Sequence, residues 1–516
     1  MPVVMASHAE TLPYWADSAS LPAFAKLERD LDVDVVVIGG GITGLTTAYL
    51  VASAGRSVAV LERARSATID TGHTSAHLTM VTDVRLSELV KRFGPSHAQA
   101  VWDAGLAAIS QIDALIRGHE IECGFAWVDG YLHAPAGEPK GRAARDKETV
   151  ALNAEAGLAS ELGFDAAFVP DVPFAGAPGV RFDDQARVHP RKYLAGVATA
   201  VREAGGEIFE HTSAEEFRDE PLGVKANGHW VRAQEIVIAT HNPLVGVASA
   251  TRAALFQTKL ALYTSYVVAG RVPRGTVPDA LFWDTAEPYH YLRLEPHRDH
   301  DLVIFGGEDH KTGQASDTRA CFERLEQALV ARVPAIELSH RWSGQVIETP
   351  DGLPFIGRMA GHQYAATGFA GNGLTFGTLG AMIIADAILG RQNPWAELFE
   401  PERPAVGRGL WEYVKENADY PYYLLRDRFA GTEGRSLRAV KRGEGKVIDH
   451  HGAKVAAYRD PSGKTTLVSA TCTHLGCQVA WNTAEKTWDC PCHGSRFQPG
   501  GAVISGPAES PLPSVT

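Results

Sequence analysis

Residues 34–48 read Asp-Val-Val-Val-Ile-Gly-Gly-Gly-Ile-Thr-Gly-Leu-Thr-Thr-Ala, and this stretch decides the fold. The apolar run at 33–38 has the pattern of a short buried strand. Gly39-x-Gly41-x-x-Gly44 follows as a tight turn, residues 45–53 have helical character, and 57–61 read as a second strand ending at Glu62. Strand, glycine turn, helix and strand make a βαβ unit. Gly39 permits the turn, Gly41 lets the backbone approach a pyrophosphate, and Gly44 allows close helix–strand packing. The helix N-terminus favours the phosphates, and Glu62 is placed to accept hydrogen bonds from ribose hydroxyls. A lone glycine pattern is weak evidence. With a strand before it, a helix after it and an acid at the right distance, it predicts a Rossmann-like dinucleotide site.

At 516 residues the chain is too long for one core and should divide into three or four units. Hydrophobic content of 45% and charged content of 21% are those of an ordinary globular protein. A net charge of −12, spread without long runs, disfavours nucleic acid or an anionic membrane as partner. No stretch approaches the roughly 20 apolar residues of a membrane span. The first 17 residues lack the basic-then-apolar order of a secretory signal, so a cytoplasmic location is expected.

Further along, residues 96–118 place Trp102, Leu106, Ile109, Ile112 and Ile116 at helical spacing. A helix is expected over 192–204, a strand within 231–240, and several antiparallel strands over 255–310. Residues 366–390 begin with a glycine-rich turn and continue as a long apolar helix. Residues 391–435 are rich in proline and charge and read as a connection with a short helix near 411–417. Only one dinucleotide fingerprint is found, which favours FAD over a combination of FAD with NAD(P)H.

The 34–48 motif is joined by Ile236-Val-Ile-Ala-Thr240, by Asp351-Gly-Leu-Pro-Phe-Ile-Gly357 and by Ala366-Thr-Gly-Phe-Ala-Gly-Asn-Gly-Leu-Thr375. In this order they resemble the D-amino-acid oxidase-like flavoproteins, which include glycine and sarcosine oxidases. The resemblance covers most of 31–395. It implies an α/β FAD-binding domain with an inserted antiparallel α+β substrate domain and FAD in an extended pose. The expected boundaries are an N-terminal extension over 1–30, the FAD-binding domain over 31–95, 180–250 and 345–395, and the substrate domain over 96–179 and 251–344. The resemblance also implies cofactor contacts from Gly39, Gly41, Gly44, Glu62, Thr240, Gly368, Gly371, Asn372, Gly373 and Thr375. The segment Gly72-His-Thr-Ser-Ala-His-Leu-Thr79 falls where relatives run along the flavin. Thr74 and Ser75 there are expected donors, and His73 or His77 neighbours of the ring; each histidine on its own reads as readily as a bridge between backbone groups. The local pattern does not match those that bond flavin covalently, so non-covalent FAD is expected.

Near the other end stand two boxes, Cys472-Thr-His474-Leu-Gly-Cys477 and Cys490-Pro-Cys492-His493-Gly-Ser495, with fifteen residues between His474 and Cys490. Four of the six cysteines fall here among histidines, a pattern that reads as metal before structural disulfides. Zinc also takes Cys and His ligands, but the spare Cys in each box, the two glycine turns and Ser495 do not follow from zinc chemistry. The boxes closely resemble the Rieske domain of cytochrome bc-type complexes. That resemblance assigns Cys472 and Cys490 to one iron and His474 and His493 to the other, whose potential the imidazoles raise. It pairs Cys477 with Cys492 as a disulfide and gives Ser495 a hydrogen bond to a bridging sulfide. Phe497 stands where high-potential members carry tyrosine, which implies a lower potential. Gly506-Pro507-Ala508 resembles the loop that covers the cluster, and one more strand is expected after it. The expected architecture is thus completed by a linker over 396–435 and a small all-β Rieske [2Fe–2S] domain over 436–516.

FAD takes two electrons from an organic donor, whereas such a cluster moves one at a time. Both on one chain imply a relay from a small-molecule donor to an external one-electron acceptor such as a ferredoxin, cytochrome or quinone. The family resemblance points to an amine or amino acid as substrate. An electron-transfer or reductase component in which the cluster feeds the flavin, and a redox sensor, are the competing readings. Strand alternation puts Tyr289, Tyr291 and Arg293 on one face of the substrate domain, where the arginine could hold a carboxylate. A structural salt bridge is the plainer reading of Arg293. His77, Tyr291 and Arg293 are the catalytic candidates, with no base assigned.

Overall fold

Val35–Ile38 is a run of four apolar, mostly β-branched residues, all buried, which suits the centre of a parallel sheet. In the structure, a computed structural model, it pairs in parallel with Val58–Leu61 on one side and Glu235–Ile238 on the other. Residues 11–135, 142–242, 259–403, 432–434 and 436–515 are described. The complete sheet runs Phe355–Ala360, Gln363–Thr367, Glu235–Ile238, Val35–Ile38, Val58–Leu61, Glu207–Phe209, with only the first strand antiparallel to its neighbour. Helices Ile42–Ser53 and Gly373–Ile388 lie against one another over it. Helix Pro95–Gly118, expected from its apolar spacing, packs on the second of these. A four-stranded sheet of Leu31–Asp32, His229–Arg232, Leu222–Ala226 and Ala214–Asp219 covers the other side.

The largest sheet has nine strands and is mostly antiparallel. Ala261–Val272 forms its longest ladders, with Glu337–Glu348 and Asp301–Lys311. Gly179–Arg187 also belongs to this sheet, beside Ala126–His133, so the chain returns to the parallel sheet with helix Pro190–Glu203 and not at residue 180. Residues taken as an N-terminal extension are integral to the core. Trp15 is fully buried and donates Nε1–H to Thr74 O at 2.7 Å, and Leu27 is buried with its N–H donating to Thr212 Oγ1 at 3.0 Å. Such packing leaves no periodic trace in a five-residue helix, Tyr14–Ser18.

The last unit is all β. One sheet holds Glu444–His450, Ala453–Arg459 and Thr465–Ser469, and a second holds Ala480–Asn482, Thr487–Asp489, Arg496–Phe497 and Val503–Ser505. In place of the strand expected after the 506–508 loop there is an isolated bridge from Ser514 to Val468, with Val515 N–H donating to Leu467 O at 3.0 Å. The helix expected near 411–417 lies outside the described residues. Among the described residues no helix is long and apolar enough to cross a membrane.

Candidate functional site: one cavity and two Cys–His loops

A cavity of about 840 Å³ begins at the glycine turn and reaches into the large sheet. Its floor at the turn depends on contact distances that only glycine allows. A Cβ on Gly44 would lie 1.9 Å from Gly39 O, so the first helical turn sits directly on the strand end. Glu62 accepts Gly40 N–H at 2.8 Å and Ala64 N–H at 2.7 Å. Burial raises its carboxyl pKa, opposed by these two bonds. A carboxylate fixed at the end of the second strand, beside the helix N-terminus, fits the adenosine half of a dinucleotide.

The other expected cofactor residues divide between lining and support. His73, Thr74, Ser75, His77, Thr240 and Asn372 all line the cavity. Asn372 also donates to Thr79 O and Val81 O, so it ties the late glycine turn to the 72–79 segment. Thr375 is buried behind the lining. His73 Nδ1 pairs with Ile69 O at 2.7 Å. His77 bridges Ser75 Oγ and Leu292 O, and burial with the nearby Arg293 charge pulls its pKa to about 3. His77 is therefore neutral at working pH.

At its far end the cavity meets Tyr289, Tyr291 and Ser265. The strand begins only at Tyr291, so Tyr289 and His290 lie on the approach to it. Tyr291 Oη is 2.8 Å from Ser265 Oγ, and the buried Asp309 carboxyl neighbours that hydroxyl. Burial lifts the Asp309 carboxyl to about 6, with the neighbouring Ser265 hydroxyl opposing. Asp83 opens onto the same space, accepts Gly371 N–H at 2.7 Å, and is raised by desolvation. Arg293 is elsewhere: fully buried, it donates to Ala76 O at 2.6 Å and Val188 O at 3.1 Å and pairs with Glu295. Its guanidinium holds three parts of the core together and does not line the cavity.

The two Cys–His boxes meet at the tips of adjacent loops. The imidazole rings of His474 and His493 have centroids 5.0 Å apart at 88°. Burial pulls both pKa values to about 4, so both rings are neutral and fit to bind metal. Cys472 and Cys490 are buried free thiols, and their mutual interaction lowers the first to about 7 and raises the second. Sulfurs of Cys477, Cys490 and Cys492 also cluster, but Cys477 and Cys492 are joined as a disulfide, so that trio is no donor set. Two free thiols and two neutral imidazoles fit a Rieske cluster. Ser495 Oγ accepts Ala508 N–H at 3.1 Å, which ties the covering loop to the second box.

Residues 34–387 match the profile of FAD dependent oxidoreductases (DAO), and 435–516 match the Rieske [2Fe-2S] domain. This chain belongs to the DAO family of FAD-dependent oxidoreductases. Its cofactors are FAD and a Rieske [2Fe–2S] cluster. The chain is 31% identical to YhfW of Bacillus subtilis (strain 168), whose name describes a Rieske 2Fe-2S iron-sulfur protein, over 97% of each chain. It is 25% identical to gamma-glutamylputrescine oxidoreductase of Escherichia coli (strain K12), over 81% of this chain and 98% of that one. The fold is shared with glycine oxidase from Geobacillus kaustophilus at a TM-score of 0.59 and 16% identity, over 72% of this chain and 99% of that one.

Within this DAO-family oxidoreductase, Phe497 is fully buried between Trp488 and Val503 in the second small sheet. Phe497→Tyr should raise the cluster potential, because a hydroxyl donor near the cluster favours its more negative, reduced form. A hydrogen bond of about 1 kcal/mol corresponds to roughly 40–50 mV for one electron. Redox titration of the electron spin resonance signal checks this; an unchanged or lowered potential contradicts it. Sequence reading missed Asp83, Ser265, Asp309 and Gln345. None belongs to a spaced motif, and they meet only through strand pairing and loop closure.

Proposed function

We propose that the protein oxidises an amine or amino acid and passes the electrons singly through its Rieske cluster to an external one-electron acceptor. The observation that carries this is the single cavity joining the dinucleotide turn to the Tyr289, Tyr291 and Ser265 pocket of the large sheet. One relative is named for gamma-glutamylputrescine and one structural neighbour for glycine. Both molecules carry an amino group, which supports the substrate class. Oxidation of an amine to an imine releases two electrons and two protons, so two equivalents of a one-electron acceptor balance it.

FAD, when bound, supplies the two-electron acceptor at its flavin ring. The expected contacts to it are Gly39, Gly41, Glu62, Thr74, Ser75 and Thr240 on one part of the cavity, with Gly44 seating the helix on the strand end behind them. Gly371, Asn372 and Gly373 frame the helix start on another, with Gly368 and Thr375 supporting that turn from outside the lining. An ammonium substrate must lose a proton before it can give up hydride. Tyr291 Oη and Ser265 Oγ share a hydrogen bond at 2.8 Å, and with the neighbouring buried Asp309 carboxyl as acceptor they form a path for that proton. His77 packs edge-on to Tyr291, with ring centroids 5.5 Å apart, and holds its orientation.

Anaerobic screening of amines, amino acids and hydroxy acids for bleaching of the flavin absorbance tests the reading. Reduction by hydroxy acids alone overturns the substrate class. With a substrate in hand, flavin reduction should rise with pH through about 6, where Asp309 becomes a carboxylate able to accept the proton. Asp309→Asn should remove that limb and slow reduction above it by about 10²-fold or more. A stopped-flow pH profile unchanged in Asp309→Asn removes Asp309 from the path.

A further inference from the structure

Gln345 lies on strand Glu337–Glu348, lines the FAD cavity, and is buried. Its Nε2–H donates to Gly494 O at 2.8 Å. Gly494 directly follows the cluster ligand His493. One side chain therefore spans from the cavity wall to the second cluster loop.

The loop is pressed onto the large sheet at two glycines. A Cβ on Gly494 would lie 2.6 Å from Leu262 Cβ, and one on Gly313 would lie 2.8 Å from Cys490 C and Pro491 N. Leu262 itself lines the cavity. Gln314 Nε2–H donates to Pro491 O at 3.1 Å. At one flank, the buried Thr318 Oγ donates to Asn482 Oδ1 at 2.9 Å and accepts Ala484 N–H at 3.2 Å. At the other, Arg63, next to Glu62, donates to Ile504 O at 2.6 Å, and residues of 504–510 form part of the cavity wall. The two boxes differ in consequence. Pro491, Gly494 and Ser495 of the second are buried, while Thr473, Leu475 and Gly476 of the first are exposed.

We propose that the Rieske unit works from a fixed seat on the FAD-binding part of the chain, with Gln345 as the positioning residue that holds the second cluster loop against the cavity. Electrons enter the cluster through the second box, one at a time, and leave to the outside one-electron acceptor on the side of the first. No swing of the domain intervenes. Three separated contacts would have to break together for it to leave. The inference rests on the proposed passage of electrons from FAD to cluster.

The test uses holoenzyme whose flavin is photoreduced with light and EDTA, with ferricyanide as the outside acceptor. Thr318→Cys with Ala484→Cys, oxidised to a disulfide, should leave flavin-to-cluster transfer and turnover within about twofold of the thiol form, because a lock on a seated domain changes no reacting geometry. Collapse on locking, restored by reduction of the disulfide, overturns the fixed seat. Thr318→Cys alone gives a readout independent of rates. Its thiol should resist alkylation in resting and turning-over enzyme alike, and labelling during turnover overturns the proposal. Gln345→Leu should slow flavin-to-cluster transfer by about tenfold or more through misplacement of the loop, with the cluster's spin resonance spectrum retained. Unchanged transfer in that variant removes Gln345 from the role. If the parent enzyme never reduces its cluster from photoreduced flavin, the relay fails instead, and the alkylation result still decides whether the domain is seated.

Discussion

His493→Ala will lose the iron–sulfur cluster and most turnover with a one-electron acceptor, yet leave reduction of the flavin by substrate largely intact. The parent protein should contain two irons per chain with acid-labile sulfide and no stoichiometric zinc, as the Cys₂His₂ donor set of a Rieske cluster requires. Loss of an outer partner of a metal ligand alone costs about 10–100-fold in affinity or activity. Removal of a ligand leaves the iron short of a bond and should cost more. The proposed proton path of Tyr291, Ser265 and Asp309 lies on strands of the large sheet and does not include the box. His474→Ala makes the companion test, because its loop is the exposed one and does not share the contact of Gly494 with Gln345. Stopped-flow flavin reduction beside steady-state turnover reads both variants. If both rates survive cluster loss, the cluster serves structure or regulation. If flavin reduction collapses while FAD stays bound, electrons run from cluster to flavin.

Both cofactors were legible because their signals are local. The glycine turn and Glu62 lie within one βαβ unit, and each Cys–His box lies within six residues. Chemistry at such sites dictates residue type and spacing together. The substrate end was only half legible. Alternation placed Tyr291 and Arg293 on one face, but the cavity receives Tyr291 while Arg293 is enclosed by Ala76, Val188 and Glu295. Alternation tells which face a residue is on and not how deep it sits along the strand. Ser265, Asp309 and Gln345 come from three different strands whose pairing is set by the whole sheet. Residues 180–187, expected in the FAD-binding domain, pair with Ala126–His133 of the large sheet for the same reason: a strand's own sequence does not name its partner. The Trp15 contact had no local signal, because one tryptophan before a turn carries no period.

Gly44→Ala sets two known effects against each other, and the structure decides which wins. In a helix interior, alanine gains about 1 kcal/mol over glycine from propensity. Here the added Cβ would fall 1.9 Å from Gly39 O and 3.2 Å from Val37 Cγ1. The first neighbour is backbone at the end of a central strand, so the helix must lift off the sheet. Overpacking of that kind typically costs about 1–3 kcal/mol, and the movement opens the turn that would hold the pyrophosphate. The expected outcome is a net loss of stability and at least a tenfold fall in FAD retained through purification, since a misplacement of about 1 Å can cost 10²-fold at a positioned site. The cluster should be unaffected, because its ligands lie on loops between strands of the separate small sheets. The ratio of bound flavin to iron is therefore the measurement. A fall in flavin with iron held at two per chain supports the glycine's role. Parallel loss of both means that the variant has failed to fold. Full flavin content would show that the helix can move without disturbing the site, and that the close approach at Gly44 serves packing alone.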